Sequence, residues 1–362
     1  MKKLIITLII LALAVIAYLA MQRTRTANTN DKPTVKIGVM LPLSGDMANF
    51  GKPAKGALDV AIKHLSTMDT KYNYEFIVED NRFDNALSNT ILSKLLSVDK
   101  IDALLDGGAG VGNITSPLAE KKQIPHINVW SSDGNVAKGK YNFINWTQPD
   151  KESQKMAKII AQKGYKNVWL VAVNHDGPIA MAASLADELS RHNINHDTMK
   201  FNFGTRDMRL DIKKMNEKGA DLFVLFLFDP EMSIFLKQAK EVGTKAEITS
   251  VEVFSFIENP ALIEGMWYVD AAEGQGGIAD EIKAHNQSNA SFGTSNMYDN
   301  VMLLVKAFEA AKTKEQAVDE LIKIKQYDGV TGKLIQDDEG IFQSEAIVKK
   351  IVNGKQEIVE DL

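Results

Sequence analysis

Cysteine is absent from the chain, which excludes a disulfide frame, a thiol nucleophile, a thiolate metal site and a lipid-acceptor cysteine behind a leader. An exported domain of this size can rely on its core alone, so this lack does not conflict with export. Blocks of like charge are missing too: the 42 Lys and Arg are interspersed with 47 Asp and Glu, for a formal net charge of −5. No basic stripe follows, and nucleic acid is not expected as a partner. No G-x-S-x-G elbow or other nucleophile arrangement is present. His192 and His196 have helical spacing, but Asn193-Ile194-Asn195 between them reads as a loop entering a strand, so the two would not face one way. Asp176 beside His175, and Asp337-Asp338-Glu339, read as turn acids. Neither a metal, a cofactor nor enzymatic catalysis is expected.

What is present begins with an almost unbroken apolar stretch from Leu4 to Met21 behind Lys2 and Lys3. This is an export segment, with a length between a signal-peptide core and a membrane span. Its small-residue cleavage signal is poor, Val15-Ile16-Ala17 being the best candidate. An uncleaved membrane anchor over residues 1–22 is therefore preferred to a signal peptide, although Arg23 and Arg25 weaken both readings because basic residues resist translocation. Residues 23–33 are polar and patternless, as a tether should be. The expected location is the periplasm or the outer face of the cytoplasmic membrane.

Along the rest of the chain, apolar runs of strand length alternate with helical stretches. VKIGVML, a helix over about 52–65, YEFIVED, a helix over 86–96, DALLD, a helix from about Ser116 and IPHINVW give the rhythm of a parallel sheet. The pattern restarts after Gln148-Pro149 with KESQKMAKIIAQKG, NVWLVAV, ALADELSRH, DTMKFNF, LDIKKMNEKG, DLFVLFLF, MSIFLKQAKEVG and EITSVEV. Two doubly wound units are predicted, an α/β architecture. The part from Ala271 on holds a helix over 296–311 and two short β segments, TGKLI and IFQSEAIVKKIV, and pattern alone assigns it to neither unit.

The stretch GGAGVGNITSP, residues 107–117, raises the question of a nucleotide site. A dinucleotide fingerprint needs a third glycine that lets helix and strand pack closely, and Asn113 follows Gly108 and Gly110 instead. A phosphate loop fails as well, because Gly45 to Gly51-Lys52 has one residue too many and Pro53 replaces the magnesium-binding hydroxyl residue. What remains is a tight turn, or free backbone N–H groups at a helix start that suit a small anion such as a carboxylate.

Order and spacing of several segments then resemble the type I periplasmic solute-binding proteins, and within them the branched-chain amino acid (Leu/Ile/Val) group. They are VKIGVMLPLSGDMANFGKPAKGALDVAI with its Gly56-Ala57 pair, VEDNRFDNALS, NFGTRDMRLDIKKMNEKGADLFVLF, DPEMSIFLKQAKEVG, Met297-Tyr298-Asp299 and DGVTGKLIQDDEG. Asn85 departs from the proline common there. The resemblance implies two Rossmann-like lobes joined by a three-strand hinge that close on a solute like a flytrap. It implies lobe one from 34–148 plus 271–340 and lobe two from 149–270 plus 341–362. The cleft would lie at the carboxyl ends of the strands, where helix N-termini converge.

Carried over residue by residue, the resemblance points to Ser131 and Ser132 as holders of the solute's carboxylate and ammonium. The loop before them offers only Gly110, Val111 and Gly112, so backbone donors would replace a missing hydroxyl there. Glu252 matches the acid that pairs with the solute's ammonium. Phe50 and Phe228 match aromatics that close over the solute, Gly177-Pro178 replaces a frequent Tyr-Gly, and Trp130 stands where a small residue is usual. Each has an ordinary alternative: Glu252 as a solvated strand-end acid, the serines as turn formers before Asp133-Gly134, and the aromatics as core. The function expected is capture of an amino acid or similar small polar solute and its delivery to an ABC permease. The alternatives are a ligand-sensing receptor of the same fold acting with a separate signalling partner, or a nucleotide-dependent enzyme, which the absent third glycine argues against.

Overall fold

The computed structural model describes residues 32–287 and 293–359. The expected anchor and nearly all of the tether lie outside the described residues. Among those residues, no helix is long and apolar enough to cross a membrane.

The first unit runs β1 (Thr34–Leu41), α1 (Ala48–Leu65), β2 (Asn73–Asp80), α2 (Asn85–Lys94), β3 (Ala103–Gly107), α3 (Ala109–Lys122), β4 (His126–Val129) and β5 (Asn142–Asn145). The second runs α4 (Pro149–Lys163), β6 (Asn167–Val173), α5 (Asp176–Arg191), β7 (Asn195–Phe201), α6 (Arg209–Glu217), β8 (Leu222–Phe226), α7 (Glu231–Glu241), β9 (Glu247–Ser250) and β10 (Trp267–Asp270). The remainder is α8 (Gly277–Asn286), α9 (Thr294–Ala310), α10 (Ala317–Lys323), β11 (Gln326–Gly329), β12 (Gly332–Gln336), β13 (Ile341–Gln343), β14 (Ile347–Val352) and β15 (Lys355–Ile358).

Two sheet systems result. The first orders its strands β11-β12-β13-β5-β4-β3-β1-β2, parallel from β13 through β2. In the second, the parallel sheet β7-β6-β8-β9 continues through a single bridge, Val251 to Val269, into β10-β14-β15. The chain crosses between the systems after β5, after β10 and after β13. Pattern left the tail unassigned, and packing decides it: α9 lies on α1, and Met297, Val301, Leu304 and Phe308 share one core with Ile37, Val39, Ala57 and Leu58. Burying each of the larger of these side chains contributes about 1.5–3 kcal/mol. The last crossover lies between β13 and β14, past the boundary of 340 drawn from resemblance, because Ile341 and Phe342 of β13 are buried in the first core beside β5.

Local signals explain the helix ends. Asp84 caps α2 by accepting from the Leu87 N–H, Pro149 opens α4, and Gly164 closes it at φ +82°. One expectation is corrected. The glycine stretch is not a loop before a helix at Ser116, because α3 begins at Ala109. Its helical start is fixed by Gly108, whose φ of +88° turns the chain out of β3, and by bonds such as Gly112 N–H to Gly108 O at 2.9 Å. Glycines are poor helix formers, so propensity hid a turn that tertiary packing enforces.

Candidate functional site

The carboxyl ends of the strands in both systems meet across one cavity of about 60 Å³. From the first unit it is lined by Pro42, Met47, Phe50, Phe83, Gly108, Ala109, Trp130 and Ser132; from the second by His175, Gly177, Pro178, Met181, Phe228, Glu252 and Val253. The lining is aromatic and apolar, with few polar groups, the ordinary make-up of a small-molecule site.

Backbone geometry marks the same place. Phe83, Trp130 and Glu252 hold φ of +58°, +65° and +61°. Such conformations cost roughly 1–3 kcal/mol each and persist only where surroundings impose them. Three bulky or charged side chains are thereby turned toward one cavity.

The rings pack edge to face: Phe50 stands 6.1 Å from Trp130 and 6.3 Å from Phe228 between centroids, the latter contact joining the two lobes. Phe83 stacks on His175 at 5.7 Å, again across the cleft, and Phe203 stacks on Phe228 at 6.3 Å toward the rim. Two helix N-termini converge here, α3 from one lobe and α5 from the other. They approach so closely that a Cβ on Gly177 would lie 4.0 Å from that of Ala109, and one on Gly110 would lie 3.1 Å from His175 Nε2. Asn113 reinforces the contact, donating to Asp133 of its own lobe at 2.9 Å and to Asp176 of the other at 3.5 Å.

Of the residues expected at a solute site, the cavity brings together Phe50, Ser132, Gly177, Phe228 and Glu252. Gly110, Val111, Gly112 and Ser131 do not line it. Val111 is buried within the first lobe, and Gly112 leaves space for Val136. Ser131 Oγ donates to Asp133 O and accepts from Asp133 N–H, which is turn chemistry. Gly110 serves the close approach of His175. Phe83 and His175 were missed by sequence reading, although both follow strand ends, β2 and β6, as Ser132 and Glu252 follow β4 and β9.

Electrostatics single out Glu252. It is 5% exposed, and its Oε1 accepts from the Trp146 indole N–H. Burial, with Asp270 nearby, pushes its carboxyl up to about 8, although contacts with Glu152 and Trp146 pull it down. His175 is shifted the other way: burial lowers its pKa, the charge of Asp176 opposing. Its Nδ1 and the Trp130 Nε1 have no hydrogen-bond partner among the described residues. The site thus offers a buried acid, two ring nitrogens, the Ser132 hydroxyl and the N-terminus of α3, set among aromatic and apolar side chains. No group of three or more potential metal ligands occurs among the described residues.

Residues 34–355 match the family model described as periplasmic binding protein. The Leucine-, isoleucine-, valine-, threonine-, and alanine-binding protein of Pseudomonas aeruginosa is 22% identical over 335 residues, covering 85% of this chain and 87% of that one. Among solved structures, a leucine-binding protein of Thermotoga maritima superposes with a TM-score of 0.81 at 18% identity, covering 90% of this chain and 97% of its own. A solute-binding protein of an ABC transporter from R. palustris, in complex with 4-hydroxybenzoate, gives 0.79 at 18% identity, covering 91% and 96%.

Proposed function

Since the chain belongs to the type I periplasmic binding proteins, in their branched-chain amino acid group, we propose that it captures an amino acid with an apolar side chain between its lobes and passes it to an ABC permease. The observation that carries this reading is Glu252, a buried acid on a strained backbone in a largely aromatic and apolar wall. One indole N–H from Trp146 does not balance a buried negative charge, which a cation entering with the solute would. The solute's own carboxylate would meet Ser132 and the N–H groups that open α3, where the helix dipole favours an anion. Phe50, Phe83, Trp130 and Phe228 would hold the side chain. The lobes enclose only a small space, so loading and release require them to part at the hinge. The protein would work outside the cytoplasmic membrane, held there by the apolar segment from Leu4 to Met21.

A second reading has an observation of its own. Raised to about 8, Glu252 is neutral over much of the physiological range and can donate to an acid, and the ring-lined wall suits an aromatic acid such as the benzoates.

A thermal-shift screen of the purified chain against the twenty amino acids, a benzoate series and nucleotides separates the two. A saturating ligand should raise the melting point by roughly 5–10 °C. A shift with aliphatic amino acids supports the first reading. A shift confined to benzoates replaces it with the second, and a shift confined to nucleotides would refute both.

A further inference from the structure

Glu152 lies in the first turn of α4, just after the first crossover between the lobes, and is wholly buried. Neither of its carboxyl oxygens meets a hydrogen-bond donor among the described residues. Its carboxyl instead lies against that of Glu252. Two carboxylates in contact away from water cannot both stay charged. Among the described residues, no cation pairs with either. The groups that face the pair are Asp150 in the same turn and Asp270 at the end of β10. The buried Lys349 of β14 is engaged by Asp270 and Glu273. His175, across the cavity, is kept toward its neutral form by burial. An acceptor pressed on an acceptor is resolved by a proton.

We propose that Glu152 is a positioning residue that remains a neutral acid and donates its O–H to Glu252, so that Glu252 alone presents charge to a ligand cation. The idea rests on the reading that an ammonium docks at Glu252. The pair then shows one negative charge to one positive one, and the carboxylate is aimed from two sides, by the Glu152 O–H and the Trp146 N–H. Glu252 itself takes up a proton in the empty cleft as pH falls through about 8, and that proton leaves to solvent when the ammonium docks. Glu152 keeps its own. Affinity should therefore rise with pH up to that value, by as much as about tenfold per pH unit.

The test compares the wild type with Glu152→Gln, which keeps a neutral donor, and Glu152→Leu, which removes it. Calorimetric titration with L-leucine across pH should give Glu152→Gln an affinity within about threefold of wild type with the same upward slope, and Glu152→Leu a loss of about tenfold or more. A loss of about tenfold in Glu152→Gln, or a flattened slope, would mean that Glu152 acts as an anion and would overturn the proposal. Infrared spectroscopy of the empty protein needs no ligand. Near pH 9, above the Glu252 transition, wild type should keep a protonated-carboxyl band that Glu152→Gln lacks. Absence of that band in wild type refutes the neutral acid whatever binds. If the band is present but no amino acid binds, the proton on Glu152 stands and the amino-group reading alone falls.

Discussion

Removing the cation at the hinge should unbalance the molecule in a pH-dependent way. Lys349 Nζ lies 2.7 Å from Asp270 Oδ2, and both side chains are 1% exposed. Glu273 contacts the same ammonium. Replacing Lys349 by Met keeps the stem's packing and leaves Asp270 without its counter-ion. Breaking a buried pair from one side costs about 3–5 kcal/mol. The loss is not uniform with pH. Burial already raises Asp270 to about 6, with Lys349 pulling down and Glu273 pushing up. A carboxyl whose folded pKa is raised takes up protons on folding, so its contribution to stability falls as pH rises through the window between unfolded and folded values. Without Lys349 the folded value rises further and the window extends upward. The deficit of Lys349→Met should therefore be small near pH 5 and reach its full size near pH 8 in urea titrations. The double variant with Asp270→Asn should recover most of the loss, since a neutral pair carries no uncompensated charge. A deficit below about 1 kcal/mol at both pH values would show that water reaches the pair and would refute the reasoning.

Three further outcomes are expected. Glu252→Gln should weaken an amino-group ligand by at least about tenfold in calorimetry, and unchanged affinity would remove Glu252 from the site. His126 is fully buried with its Nε2 2.8 Å from Asp106 Oδ1. Burial lowers its pKa, but the charge of Asp106 and hydrogen bonds to Asp106 and Asn142 raise it on balance. Its folded value thus exceeds the unfolded one. This stabilisation is complete below the unfolded value and is lost as pH rises through the folded one, and His126→Gln should abolish that alkaline slope in denaturant titrations. Gly108→Ala should destabilise the first lobe and lower affinity together, because its φ is +88° and a Cβ would lie 2.5 Å from the Phe83 ring. A loss of about 1–2 kcal/mol is expected from the backbone alone, with the clash added, and a wild-type melting point would contradict this.

The two units were legible because strands such as Thr34–Leu41 and Leu222–Phe226 are mostly or wholly buried and largely apolar and the helices between them carry one-sided patterns, both local properties of the chain. The glycine stretch misled because local propensity opposes helix where packing against β3 and the other lobe demands it. Part of the candidate site was legible for a similar reason. Ser132 and Glu252 follow strand ends, where sheet topology must place a cleft, and the same logic extended to the ends of β2 and β6 reaches Phe83 and His175. Glu152 is different in kind. In sequence it is one acid in the first turn of a helix, where the dipole makes acids commonplace. Its chemistry arises only when the first crossover carries it beneath Glu252, a hundred residues on, and strips both of water. Periodicity reports which face of an element is buried, and it is silent on which buried group will meet which. Contacts made by crossovers between lobes therefore escape a sequence reading even when every element around them has been identified, and these are the contacts that set the charge of the cleft.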